Sequence, residues 1–300
     1  MKLKRNDLFI GIYILSAVLF FIISIPSWLL DILLAFNIMV ALVILFNSLF
    51  AKEVLDMASF PTMLLFTTIF RISLNVSSTK MILRDGYAGH VVSVFGQFVG
   101  GGNLVIGTII FIVLIIVQFI VINKGSERVS EVTARFTLDA MAGKQMAIDS
   151  DLNTGAITDK EAAERRKKLQ QENSFFGSMD GATKYVKGDA TAGLIITAIN
   201  LVGGIAMGML YNGMSINDAL STYSILTIGD GLCSQIPSLL ISLSTGILVT
   251  KASSEGELGD EMVGQLFSMD RVLIMVGAAL ILLGVGTPLP FYIFVPLGVA

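Results

Sequence analysis

Apolar residues run along this chain in long blocks rather than in one-sided stripes. Windows at roughly 8–25, 31–50, 61–79, 104–123, 190–210, 232–250 and 271–287 are apolar throughout most of their length, and a membrane helix needs about 20 such residues. An eighth run starts near Phe291 and is still going at Ala300, which predicts a natural continuation past that point. The pattern predicts an all-α polytopic membrane protein with about eight transmembrane helices. The 61–79 window is the weakest, because it holds Arg71, Asn75 and several Ser and Thr. The opening MKLKRND and the run behind it imitate a signal peptide. That run is long, however, and no small-residue cleavage site follows it, so a retained first span is expected.

The polar stretches divide the chain into spans 1–4 (1–123), a small, mostly helical loop domain (124–189) and spans 5–8 (190–300), the last interrupted. Within the loop domain, TDKEAAERRKKLQQEN reads as a helix opened by a capping box from Thr158 to Glu161. Glu164 and Lys168 are spaced for an i,i+4 pair, and the RRKK run reads as a solvated helix face. FGQFVGGGN (95–103) has no strand before it and no Lys-Ser/Thr after it, so it is a close-packed or re-entrant turn rather than a phosphate loop. Gly204 and Gly208 have the small-xxx-small spacing that lets helices approach. The 251–270 loop is acidic, rich in Gly and Ser, and expected to be flexible.

Basic residues set the expected orientation. Lys2, Lys4 and Arg5 lead the chain, and eleven of its twenty basic residues lie between Lys124 and Asp189. By the positive-inside rule both segments face the cytoplasm. The 80–103 loop then lies outside, with Arg84 an exception and His90 in it.

Composition narrows the function. The chain is 54% hydrophobic and 14% charged, against about 25% charged in soluble domains. A net charge of −3 without a basic stripe gives no reason to expect nucleic acid. Cys233, the single cysteine, reads as a packing residue. His90 is the single histidine, with no metal-ligand spacing around it, and no hydroxyl pairs with a histidine in a nucleophile motif. No metal, cofactor or enzyme activity is expected.

The charges in or beside apolar windows are therefore the informative residues, because each costs about 2.5–3.5 kcal/mol at a helix centre on insertion scales. They are Asp31, Arg71, Lys80, Asp189 and Asp230. Asp31 reads as a helix cap, and Lys80 either snorkels or functions. Arg71 requires its span to face protein or water. Asp230, between two glycines, reads as sitting in a tight turn or unwound backbone, or as a cap. Asp180, Lys184, Lys187 and Asp189 are spaced to form one charged cluster at the cytoplasmic mouth, with a plain solvated interface equally open. The loop domain carries eleven acidic residues against its eleven basic ones. That balance suits lateral contacts between like subunits, for example Glu127 and Glu131 with Arg128 and Arg135, though the same residues are spaced for local helix pairs.

Five strings carry a resemblance: FRISLNVSSTKMIL, FGQFVGGGN, INKGSERVSEVTARFTLDAMAGKQMAIDSDLNTGAI, FFGSMDGATKYVKGDATAG and YSILTIGDGLCSQIPSLLISLSTGILVT. In order and over nearly the whole chain they resemble the FHIPEP family, the large export-gate proteins of flagellar and virulence type III secretion systems. The GGGN and GSMDGA wording is closer to the flagellar branch, and Ala142 stands where many relatives have proline. The resemblance implies an eight-span domain in the bacterial inner membrane, N-terminus cytoplasmic, followed by a large cytoplasmic domain that docks substrate–chaperone complexes. It implies a homo-oligomeric, nonameric ring among other export-gate membrane proteins and the secretion ATPase complex. It also implies coupling of export to a proton gradient, another cation being an alternative, through Arg71, Lys80, Asp180, Lys184, Asp189 and Asp230. Two other classes fit the composition: a proton- or cation-conducting small-solute transporter, and a passive structural ring.

Overall fold

A computed structural model of the chain describes residues 5–100, 103–251, 258–286 and 290–299. Among these residues every regular element is helical. One unit holds α1 (Arg5–Ile22), α2 (Ser27–Phe50), α3 (Phe60–Asp85), α4 (His90–Gly100), α5 (Leu104–Val117), α6 (Lys124–Asp139), α7 (Met141–Asn153), α8 (Asp159–Leu210) and α9 (Ile216–Thr250). A 3₁₀ turn (Val54–Met57) precedes α3, and a π-helical segment (Gln118–Asn123) joins α5 to α6 without a break. A second unit holds α10 (Leu258–Phe267), α11 (Asp270–Gly286) and α12 (Phe291–Val299).

Among the described residues five helical stretches are long and apolar enough to cross a membrane: Ser27–Phe50, Val54–Asp85, Leu104–Asn153, Asp159–Leu210 and Ile216–Thr250. The apolar stretch of α1, Ile10–Ile22, is shorter, as are α11 with 17 residues and α12 with nine. The expected count of about eight is therefore met only for five. Burial sorts the five. The apolar windows of α3 and α9 are 56% buried and form the centre, whereas those of α5 and α8 are 17% buried and present their apolar sides outward.

The loop domain is an extension of two membrane helices. On one side α5, the π segment and α6 run on together, and on the other α8 continues for 52 residues, about 78 Å. The expected boundary at 189/190 thus falls inside one helix. The capping box forms as expected, with Thr158 N–H donating to Glu161 at 2.8 Å and Glu161 N–H to the Thr158 hydroxyl at 3.3 Å. Within the RRKK run, Arg165 and Arg166 reach Asp151 and Asp149 on α7 at 3.3 and 2.5 Å, and Lys168 pairs with Glu53 at 2.7 Å. Ile148, Ala162 and Leu169 make the small core of this α7–α8 hairpin.

Two expected turns are helices. Most of FGQFVGGGN belongs to α4, and Asn103 caps α5 by accepting from the N–H groups of Val105 and Ile106; residues 101 and 102 lie outside the described set. His90 is the first residue of α4 rather than a loop residue. The second correction is Asp230, which lies inside an uninterrupted α9 that begins sixteen residues before the expected 232. Its flanking glycines serve packing. A Cβ at Gly229 would lie 1.9 Å from the Val92 carbonyl oxygen, and one at Gly231 2.4 Å from the Phe111 ring. Similarly, Gly204 and Gly208 make room for the Tyr223 ring of α9, where added Cβ atoms would come within 2.3 and 2.6 Å. Of the expected flexible loop 251–270, residues 252–257 lie outside the described set.

Because α4 and α9 meet backbone to backbone at Gly229, Gly229→Ala is expected to lower stability by about 1–3 kcal/mol or more, the usual cost of overpacking. Gly177→Ala, with open space around it, is expected to be neutral or stabilising. Thermal unfolding of the two variants in the same detergent checks this, and equal midpoints contradict the packing role.

Candidate functional site

Three helices each place a polar stripe toward the same interior line. On α3 it is Thr68, Arg71, Asn75 and Ser78, on α8 Asp189, Thr197 and Asn200, and on α9 Thr227, Asp230, Ser234 and Ser238. Spacings of three and four residues, and of eight between Asp189 and Thr197, keep each set near one helix face, and the three helices pack on one another.

Arg71 and Asp189 anchor one end. Their side chains are 1% and 4% exposed, and the Arg71 Nε donates to Asp189 Oδ2 at 2.7 Å while Nη2 donates to the same oxygen. The Arg71 Nη1 has no partner among the described residues. Arg71 lines a cavity of about 40 Å³ together with Asn75, Gln118, Asp189, Thr197 and Ser238. The buried Ser238 hydroxyl is likewise without a partner. A polar cavity of this size admits ordered water, one molecule needing about 10–15 Å³.

Asp230 anchors the other end. It is buried, and Oδ2 accepts from Asn200 Nδ2 at 2.9 Å. The hydroxyl of Ser78 stands beside it. Asp230 Oδ1, Asn200 Oδ1 and the Thr227 hydroxyl have no partner among the described residues, and no basic side chain there pairs with Asp230. Eleven residues of α8 separate Asp189 from Asn200, a rise of about 16 Å.

The remaining expected residues lie elsewhere. Asp180, Lys184, Lys187 and Asp189 do not form one cluster. Asp180 and Lys184 pair on the exposed face of α8 at 2.6 Å, Lys187 reaches Glu127 on α6 at 2.9 Å, and Asp189 points inward to Arg71. The reason is helical phase, since Asp189 lies five residues beyond Lys184 and faces a different side. Lys80 donates to the carbonyl oxygen of Phe21 and, at 3.4 Å, to that of Ile22. It thereby serves the C-terminal end of α1, where a cation is favoured. Asp31 does cap a helix, but a different one, accepting from the N–H groups of His90 and Val91 at the start of α4, each at 2.9 Å. Arg128 and Arg135 both pair with Glu131 along α6, at 3.1 and 3.7 Å. Cys233 is buried in an apolar cluster.

Several site residues escaped the sequence reading. Gln118 and Asn123, carried by the π segment, tie it to α9. Gln118 Nε2 donates to the Gln235 carbonyl at 3.0 Å, and Asn123 Oδ1 accepts from the Ser242 hydroxyl at 3.0 Å. Asn200 and Ser238 were also missed, as was Lys251, 2% exposed at the end of α9 with Nζ donating to the Leu49 carbonyl at 3.2 Å. The signal for the amides was present, because a lone Gln or Asn inside an apolar run has the same need for a partner as a charge does.

Removing one partner of a buried ion pair strands the other, at a cost of about 3–5 kcal/mol, whereas replacing both by apolar groups is often neutral. Asp189→Leu is accordingly expected to be strongly destabilised, and Arg71→Met with Asp189→Leu to regain most of the loss. Denaturation midpoints of the two variants check this. A double variant no more stable than the single one contradicts the pairing.

Comparisons with known proteins bear on the same residues. The chain is 52% identical over 295 residues to the "Flagellar biosynthesis protein FlhA" of Bacillus subtilis, covering 98% of this chain and 44% of that relative. It is 49% identical over 288 residues to the protein of that name in Salmonella typhimurium, covering 94% of this chain and 42% of the relative. It is 47% identical over 283 residues to the "Low calcium response locus protein D" of Yersinia pestis, at 94% and 40% coverage. The chain therefore spans less than half the length of these relatives. No solved structure matches it. Residues 17–300 match the FHIPEP family, and the chain belongs to that family.

Proposed function

We propose that the chain is the membrane part of an export gate of the flagellar type III secretion apparatus, and that it couples the proton motive force to export of unfolded protein across the bacterial inner membrane. Family membership and the flagellar names of the first two relatives support the export role. The observation that carries the coupling is the interior polar column, with an ion pair at one end and an unpaired carboxyl at the other. An isolated buried carboxyl changes its local energy by several kcal/mol whenever its charge changes. Protons reaching Asp230 would pass by way of Asn75, Ser78, Thr197 and cavity water to Asp189, where they compete with Arg71 for the carboxylate. Loss of that pair lets α3 and α8 shift, a two-state element that a proton gradient can bias.

The finer architecture belongs to the same proposal. It has eight spans with the N-terminus and the 124–189 hairpin in the cytoplasm, a nonameric ring, and contacts to other export-gate membrane proteins. The ATPase complex and substrate–chaperone complexes would meet a cytoplasmic domain beyond this chain. No cofactor takes part. Glu127, Glu131, Arg128 and Arg135, already engaged in pairs within the chain, would contribute to the ring by exchanging those partners.

Proton influx into vesicles holding the full-length protein tests the coupling. Asp189→Asn and Asp230→Asn are each expected to reduce it at least about tenfold, the effect of 1.4 kcal/mol on an equilibrium or rate, and to stop flagellar secretion at matched membrane levels. Secretion and influx at the unsubstituted rate would falsify the coupling role and leave a passive ring. For topology, a cysteine at Asn153 is expected to react with impermeant reagents only in opened cells, and one at Asn212 in intact spheroplasts. The reverse pattern inverts the orientation.

A further inference from the structure

Helix α10 has one apolar side that nothing in the chain covers. Met262, Val263, Leu266 and Phe267 recur at spacings of three and four residues and so share that side. The four are 53–65% exposed. The positions that alternate with them, Asp260, Glu261, Gly264 and Gln265, are acidic, small or polar in the sequence. Among the described residues no other helix packs along α10, and a Cβ added at Gly259 or Gly264 would meet open space. With ten residues, about 15 Å of helix, it is too short to cross a hydrocarbon core of about 30 Å.

The depth of α10 follows from what comes next in the chain. Ser268 and Met269 alone separate it from α11, which opens with Asp270 and Arg271 before its apolar run. In the eight-span topology proposed above, on which this inference rests, α11 crosses the bilayer. Its two opening charges then stand at the interface, because each is costly within the hydrocarbon. Phe267 lies three residues before Asp270, at most about 11 Å of extended chain. The end of α10 is therefore held at headgroup depth. Met269, 64% exposed, also carries the apolar surface on toward Val272 and Met275 of α11, 46% and 72% exposed. Hydrocarbon that covers α11 thus reaches the neighbouring side of α10.

We infer that α10 lies flat in the membrane interface, with Met262, Val263, Leu266 and Phe267 turned into the boundary between headgroups and acyl chains. A helix with one apolar side sinks that side about 5–10 Å into this boundary. The partner is the lipid surface, and headgroup charge does not select it. Four acids lie between residues 255 and 261, and no basic residue lies from 252 to 270. The anionic lipids of a cytoplasmic leaflet attract basic segments and repel this one. The apolar side and the short tether to α11 hold it instead, the tether keeping its local concentration at the surface high. A protein partner would have to enter between α10 and the lipid to reach the same side. Lying flat, α10 fixes the level at which α11 enters the bilayer. Neither Asp189 nor Asp230 takes part.

The test uses full-length protein in phosphatidylcholine nanodiscs, its native cysteines replaced and single new cysteines carrying a fluorophore. Lipids with a nitroxide at the top of the acyl chain are expected to remove most of the emission from labels at Met262, Val263 and Leu266. Labels at Gly264 and Gln265 are expected to stay bright. A label at Ala279, midway along α11, reports the span and is expected to be quenched by a nitroxide near the chain end. Leu266→Glu together with Phe267→Glu is expected to bring quenching at Val263 down to the level at Gln265, whereas Gln265→Glu leaves it unchanged. Adding phosphatidylglycerol is expected to weaken the quenching, and a deeper label in its presence contradicts the charge argument. Bright α10 labels with a quenched Ala279 label overturn the surface helix and keep the span. Quenched α10 labels with a bright Ala279 label keep the surface helix and remove the span. Labels at Met262 and Leu266 shielded from both lipid and aqueous quenchers give the apolar side to a protein and overturn the inference.

Discussion

The contact between Arg71 and Asp189 constrains every neighbouring element. A guanidinium 1% exposed inside a membrane-spanning helix must have its counter-charge brought to it, since exposing either group to lipid costs several kcal/mol. Arg71 therefore dictates that α3 turns its polar face inward, that α8 passes at the level of residue 189, and that α9 closes the third side. The pair is incompletely satisfied, because one Asp189 oxygen takes both contacts while Arg71 Nη1 is without a partner among the described residues. A buried pair with spare hydrogen-bonding capacity is weak as a staple and well suited to being exchanged.

The interior hydroxyls divide into two populations. Ser48, Thr67, Thr183, Ser244 and Thr245 each donate to the carbonyl four residues back, at 2.7–2.9 Å. Such residues satisfy themselves within their own helix and cost a membrane little. Thr68, Thr227 and Ser238 are equally buried and make no such bond. Ser238 lines the cavity beside Arg71, and Thr227 lies one turn before Asp230. Unpaired hydroxyls are not confined to the column, since Thr79 and Ser130 are also without partners among the described residues. The column's own Ser78, Thr197 and Ser234 each donate to a carbonyl of their own helix. Thr227 and Ser238 are distinguished by their places near Asp230 and on the Arg71 cavity.

Sequence made the membrane class, the capping box and the placement of Arg71, Asp189 and Asp230 as charges within apolar helices legible, because charge in an apolar run is a local signal with a known cost. Partnership was not legible. Lys184 and Lys187 are near Asp189 in the chain, yet Arg71, 118 residues away, holds it. Local spacing cannot tell which face of a long helix meets a distant element. The glycines misled for a related reason. Gly229 and Gly231 suggested broken backbone, but they are small because Val92 and Phe111 press against them, a tertiary demand. The π segment was invisible because Gln118–Asn123 differs from α-helix by one residue of bonding register, which no side-chain pattern announces.

That segment gives the membrane and loop helices an asymmetry. α8 keeps α-helical bonding from residue 159 to 210, so no change of register separates Asp189 from the hairpin. The companion path, α5 to α6, passes through Gln118–Asn123, where bonding is already of the wider π type, and a π bulge in a helix is commonly found at functional sites. Gln118 and Asn123 lock the segment to α9, while one turn beyond, Glu127 is tied to α8 by Lys187. The Glu127–Lys187 pair that joins α6 to α8 is a surface contact worth at most about 1 kcal/mol. The change of bonding register between spans and hairpin therefore lies on α5–α6, while the helix that carries Asp189 has none.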